Sequence, residues 1–188
     1  MERNRRSFLS LLARSHPQKN ECWLHVNRTA MACKFEVTLP RSEETGVIVA
    51  TTALDEIDRL ESKLSVFRET SEVSYVNANA ADRAVKISDE LFDLFAVCLR
   101  LYRDTEGAFD ITSGPLTRCW GFLRRQGRLP EPNEIARARA VVGSDQLRLD
   151  RAAKTIQFSQ PGIEINLGSI GKGYALDRAA SLMSHNIR

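Results

Sequence analysis

Alternating apolar and polar positions give way to three- and four-residue spacings several times along this chain. Phe35, Val37 and Leu39 alternate with polar residues, which predicts a strand over Cys33 to Leu39, with a partner over Cys22 to Val26 and Pro40 as the stop. From Glu44 to Lys63 the apolar residues Val47, Ala50, Leu54, Ile57 and Leu60, continued by Leu64, recur at helical spacing and predict an amphipathic helix. Leu64 to Phe67 then reads as extended, Ser71 to Asn77 as a brief helical turn and Ala84 to Ile87 as a small strand. Ser88 is placed to cap a second helix, with Asp89 and Glu90 in its first turn. Leu91, Leu94, Phe95, Cys98, Leu99 and Tyr102 form its apolar face, and Gly107 stops it.

Beyond Gly107 the pattern shortens. A loop over Ala108 to Gly114 precedes a short helix opened by Pro115, and Gln126 to Asn133 is a polar, proline-marked connection. Asn133 to Val142 reads as a helix closed by Gly143, and Leu147 to Leu149 with Thr155 to Phe158 reads as a hairpin. A strand is expected over Ile163 to Leu167, followed by a glycine-rich turn and a helix carrying Tyr174, Leu176, Ala180, Leu182 and Met183. Strands and helices mixed without regular alternation predict an α+β fold, a mixed sheet with packed helices.

Bulk properties narrow the field. The 188 residues suit one domain with a substantial core, and 43% apolar content argues against wholesale disorder. Residues 1–20 read as a basic tail ahead of a domain over 21–188. Five basic residues and one acidic residue fall within 1–19, leaving the rest near neutral, which argues against a nucleic-acid-binding face. Arg5-Arg6-Ser7-Phe8-Leu9 resembles a degenerate twin-arginine signal, but the apolar stretch ends at Arg14, too short for a secretory core or membrane span. Neither a complete leader nor a lipid-accepting cysteine follows, which favours a cytoplasmic setting and leaves export open. Cys22, Cys33, Cys98 and Cys119 lack zinc-ligand spacing, and Cys98 falls on an apolar helix face as a buried thiol.

The candidate chemistry lies in four segments. Glu164-Ile-Asn-Leu-Gly-Ser-Ile-Gly-Lys-Gly-Tyr-Ala-Leu-Asp177 joins an extended run to a helix start through a turn free of bulky side chains. Its unpaired N–H groups and Lys172 suit an anionic group, although the glycine spacing is neither the dinucleotide nor the Walker pattern. Met31-Ala-Cys-Lys-Phe35 opens a strand, and Leu64-Ser-Val-Phe-Arg68 with Ser71-Glu72-Val73 and Asn77 sets an aromatic beside hydroxyls. Gly107-Ala-Phe-Asp-Ile-Thr112, then Gly114-Pro-Leu116 and Trp120-Gly-Phe122, places a carboxylate between apolar neighbours. Singly, each has a plain structural reading: Met31 and Phe67 as core, Asp110 as a bond to turn N–H groups, the glycines as an ordinary strand-to-helix turn.

Taken in order, these segments resemble the FAD:protein FMN transferase (ApbE) family over about Asn27 to the C-terminus. The family shows an M-G-T-like strand start, S-x-[YF]…S-E-[IV]…N, G-x-F-D-x-T…P-L…WGF and D-L-G-x-I-x-K-G-[YW]-x-x-D. The resemblance implies an α+β enzyme that binds FAD and Mg²⁺, transfers FMN to a threonine or serine hydroxyl of a target flavoprotein, and releases AMP. A membrane-associated target is compatible with it. By motif position, Ala108, Phe109, Asp110, Asn166 and Lys172 match flavin-contacting residues, Met31 and Phe67 suit the isoalloxazine, and Ser169 matches a residue offering its backbone carbonyl to Mg²⁺.

Three departures qualify the match. Asn166 stands where the family has Asp, and Ala32 and Cys33 replace Gly and Thr. The family pattern also continues into H-x-x-x-P-x-T-G and D-A-x-x-T segments, the latter supplying side-chain Mg²⁺ ligands. The expectation is therefore of a truncated member with little transfer on its own. The alternative is a catalytically impaired flavin-binding remnant or interaction domain of the same fold.

Overall fold

The computed structural model describes residues 22–41, 45–124 and 126–186. The basic N-terminal segment and the expected helix start at Glu44 lie outside those residues. Two strands, β1 (Trp23–Ala30) and β2 (Cys33–Pro40), form an antiparallel hairpin in which Ala30 pairs with Cys33 across Met31 and Ala32. Helix α1 (Gly46–Leu64) follows, then α2 (Glu72–Asn79), strand β3 (Val85–Lys86) and α3 (Asp89–Asp104). After them come α4 (Gly114–Cys119), a single 3₁₀ turn over Phe122–Arg124, α5 (Pro132–Arg139), β4 (Leu147–Asp150), β5 (Thr155–Phe158) and α6 (Gly171–Asn186). The second sheet is antiparallel, ordered β3-β5-β4. Helices beside two small sheets make the fold α+β, as expected.

One core joins these elements. Helix α1 buries Ala50, Leu54, Ile57 and Leu60, and α3 buries Leu91, Leu94, Phe95 and Cys98, as their periodicity predicts. Val47 departs from the predicted stripe at 47% exposed, while Phe92, absent from it, is buried. Ser88 caps α3 by accepting from the Leu91 N–H, and its own N–H and hydroxyl donate to the Glu72 carboxylate. Burial pushes the Cys98 thiol up to about 12, so it packs as an apolar group. All four cysteines are free.

Two expectations near the C-terminal end of the fold need correction. Ile163 to Leu167 is extended but forms no strand beyond one parallel bridge between Glu164 and Ser113. Its backbone is held otherwise. The Asn166 N–H donates to the Ile111 carbonyl, and the Asn77 amide both donates to the Ile165 carbonyl and accepts the Ile165 N–H, at 2.9 and 2.8 Å. A side-chain amide thus satisfies groups that a neighbouring strand would otherwise satisfy.

On α6 the apolar residues read from the sequence divide: Tyr174 and Met183 pack against the core, while Leu176 is 53% exposed and Ala180 is exposed, and the buried positions are Gly171, Ala175 and Ala179. The helix packs against α1, so its core stripe consists of small residues that allow a close approach. A network of charges ties α6, α1 and α3 together: Arg59 donates to Glu56 and Glu90, Lys63 donates to Glu90, and Arg178 pairs with Glu56.

Candidate functional site

A cleft of about 580 Å³ opens where four segments meet. Met31 and Ala32 reach it from the β1–β2 turn, and Ser65 to Arg68 from the turn after α1. Phe122 and Leu123 come from the 3₁₀ turn, and Asn166, Leu167, Gly168, Gly171 and Lys172 from the segment entering α6. The walls are mainly apolar; of the charged lining residues Arg68 is paired with Glu61, and Lys172 forms no ion pair among the described residues, a mixture suited to an amphipathic anionic ligand.

The hairpin turn is conformationally costly. Met31 and Ala32 both have left-handed φ, 49° and 59°, as a tight two-residue hairpin turn demands. Neither is the glycine or asparagine that adopts this geometry freely, so the turn stores strain beside the cleft. Glu61 holds it. One carboxylate oxygen accepts the Met31 N–H at 2.6 Å and the other accepts from Arg68 Nη2 at 3.1 Å. This one side chain joins the hairpin tip to the Phe67 turn, and no sequence pattern signalled it, because its partners lie on either side in sequence.

Phe67 is 72% exposed, so it is not core. The turn that carries it is fixed from below by Ser71, whose hydroxyl donates to the Ser65 carbonyl at 2.6 Å and accepts the Ser74 N–H. The turn thus presents a large aromatic side chain at the cleft.

On the opposite side, the Asn166 amide oxygen accepts the Gly168 N–H at 2.9 Å, closing a turn that neither Gly171 nor Gly173 needs for steric reasons. A Cβ on either would meet nothing within 4 Å, and neither adopts a left-handed φ. Lys172 and Gly173 N–H groups begin α6 without an acceptor inside the helix, and Lys172 forms no ion pair among the described residues. Open space, helix-start donors and a cation therefore coincide.

Four of the residues singled out from the sequence, Met31, Phe67, Asn166 and Lys172, meet in this cleft. Ala108, Phe109, Asp110 and Ser169 are not among its lining residues. Asp110 is engaged locally: Oδ1 accepts from the Thr112 N–H, the Thr112 hydroxyl and the Ser144 hydroxyl, and Oδ2 accepts the Ser144 N–H. Buried Thr112 in turn accepts the Gly143 N–H at 2.7 Å. This network fixes the loop that packs against Ile163–Leu167, where Gly114 comes so close that a Cβ would lie 2.6 Å from the Glu164 carbonyl oxygen. Asp110 thus braces the segment that delivers Asn166 and Lys172.

Ser169 is exposed in the turn before α6. Among the described residues no three His, Cys, Asp or Glu side chains converge to hold a metal, so the donors present do not by themselves fit a magnesium ion. Nor is any described helix long and apolar enough to cross a membrane.

Comparison with known proteins shows what the chain as a whole is similar to. The FAD:protein FMN transferase of Haemophilus influenzae is 32% identical over 148 residues, 73% of this chain and 43% of that protein. That of Salmonella typhimurium is 35% identical over 136 residues, 70% of this chain and 38% of that protein. The crystal structure of the Thermotoga maritima ApbE protein superposes with a TM-score of 0.81 at 26% identity, covering 87% of this chain and 53% of that one. The chain thus spans about half the length, or less, of the relatives it matches. With residues 31–187 matching the ApbE family model, and with the hairpin tip, the aromatic turn and the glycine-rich helix start gathered at one cleft, the chain belongs to the ApbE family.

Proposed function

We propose that this chain carries the FAD-binding cleft of an FAD:protein FMN transferase. The observation that carries the reading is the convergence of Met31, Phe67, Asn166 and Lys172 on one cleft of about 580 Å³. The isoalloxazine lies against Met31 and Phe67, and the diphosphate lies at the head of α6 against Lys172 and the N–H groups there. Ala108, Phe109 and Asp110 belong to the same proposed flavin-binding set, with Asp110 acting through the loop it braces. The relatives' printed activity implies the chemistry. An acceptor oxygen forms a bond to the FMN phosphorus, the bridging P–O bond breaks, AMP departs, and the acceptor's proton is lost.

The acceptor in this reading is a threonine or serine of a target flavoprotein, which can be membrane-associated. Magnesium is the metal that the resemblance implies, and the Ser169 carbonyl would contribute one ligand to it. Substrate phosphates would supply further oxygen ligands.

A second reading, a flavin-binding domain impaired in transfer, is favoured by Asn166 and by the lack of a metal-binding cluster among the described residues. Incubation with FAD, Mg²⁺ and a threonine-containing acceptor separates the two. Covalent flavin on the acceptor with an equal amount of AMP supports transfer. Tight FAD binding without either product supports the second reading, and no FAD binding overturns both.

A further inference from the structure

Phe122 is 62% exposed, yet it is neither isolated nor loosely held. Its ring stacks on Trp120 with centroids 6.4 Å apart and planes 12° from parallel. Between them Gly121 takes φ +72°, a left-handed turn that folds the chain back so that the two rings lie side by side. The same turn is closed by the Trp120 carbonyl accepting the Arg128 N–H at 3.0 Å and by the Gly121 N–H donating to Arg118 at 3.0 Å. The outcome is an aromatic pair whose outer ring, Phe122, lines the cleft that Phe67 lines from the turn after α1.

Two large aromatic side chains, both mostly exposed, thus share one cleft from separate elements. Leaving both uncovered forgoes the burial of apolar surface that aromatics otherwise supply. A flat, conjugated ligand recovers that burial by covering apolar ring surface. A chain of phosphates or a ribose cannot.

We propose that Phe122, backed by Trp120, is a specificity-determining residue that contacts the isoalloxazine and forms an aromatic clamp with Phe67. The inference rests on the reading of the cleft as an FAD site and adds a contact residue to it. In this assignment the clamp takes the isoalloxazine, the larger of the two flat ring systems of FAD, and leaves the diphosphate to the head of α6. Phe122 lies on the 3₁₀ turn, outside the core, so its removal leaves folding intact.

The test compares the intact chain with Phe122→Ala and Phe122→Trp, titrating each with FAD, riboflavin and ADP. Phe122→Ala should weaken FAD and riboflavin by about 5- to 30-fold and leave ADP within twofold. Phe122→Trp, which keeps a ring, should restore flavin binding. An unchanged flavin affinity in Phe122→Ala, with the intact chain still binding FAD, overturns the clamp and leaves the FAD site standing. Equal losses for all three ligands also overturn it, since a general change in the cleft would then be the cause. If the intact chain binds no FAD, both the clamp and the reading beneath it fall.

Discussion

Replacing Gly171 with alanine separates what the fold needs at the head of α6 from what a ligand needs there. The new methyl meets no atom within 4 Å, and the backbone there is not left-handed, so the folded chain accepts alanine without a clash. Losing glycine's freedom in the unfolded state should then raise stability by about 0.4–1 kcal/mol. For a chain of this size that corresponds to a rise in Tm of roughly 1–4 °C. The binding effect runs the other way. If a diphosphate packs against the N–H groups at the start of α6, the methyl occupies its path and forfeits about one charge-assisted hydrogen bond, on the order of 1.5–3 kcal/mol. FAD and ADP, which share the diphosphate, should therefore both bind roughly 10- to 150-fold more weakly. Thermal melts and paired titrations read both effects on one preparation. A higher Tm with undiminished affinity would refute the approach of phosphate to Gly171, and a lower Tm would refute the open space on which the argument stands.

Lys172→Ala should weaken FAD by about 1–3 kcal/mol with little change in Tm, because the side chain is exposed and has no ion pair among the described residues to lose. Ala32→Gly should raise stability by about 1 kcal/mol in denaturant titration, by relieving the left-handed alanine in the hairpin turn. Glu61→Ala should release both the Met31 N–H and Arg68, speed hydrogen exchange at the Met31 amide and weaken FAD more than ADP; unchanged exchange would remove Glu61 from that role. The Arg59 guanidinium, with Lys63, holds the Glu90 carboxyl down to about 2 from its usual 4.5. Because the folded value is the lower one, this stabilisation is full above about 4.5 and is lost as pH falls toward about 2. After allowance for solvent screening it amounts to about 1–2 kcal/mol, so Glu90→Gln should flatten the acid limb of the stability profile by that much.

The sequence was most legible where one period ran long enough to be unambiguous. Helices α1 and α3 carry apolar residues at helical spacing over several turns, and Ser88 marks the start of α3 with a cap that the structure contains. Ile163 to Leu167 misled because alternation reports an extended, half-buried backbone and says nothing of what pairs with it. Here the partner is largely the Asn77 side chain, 88 positions away from Ile165. Helix α6 misled because large apolar residues draw the eye, whereas the close contact with α1 selects Ala175 and Ala179 and leaves Leu176 outside. The same limit applies at the cleft. Phe67, Met31, Asn166 and Lys172 stand in recognisable motifs, but Glu61 acts only through neighbours that folding brings to it. Phe122 was visible in Trp120-Gly-Phe122, yet the direction its ring faces is set by a backbone turn at Gly121.

The central claim is that the cleft is built for the isoalloxazine and the diphosphate of FAD at once. Its most direct test is a set of titrations of the unmodified chain with FAD, riboflavin and ADP, followed by flavin fluorescence and by heat. The account predicts saturable binding at one site per chain, with FAD bound more tightly than either fragment, because the aromatic turn holds the isoalloxazine and the head of α6 holds the diphosphate. It predicts that Phe67→Ala abolishes most of the advantage of FAD over ADP, and that Lys172→Ala abolishes most of its advantage over riboflavin. Absence of saturable FAD binding, or FAD bound no more tightly than ADP alone, would contradict it.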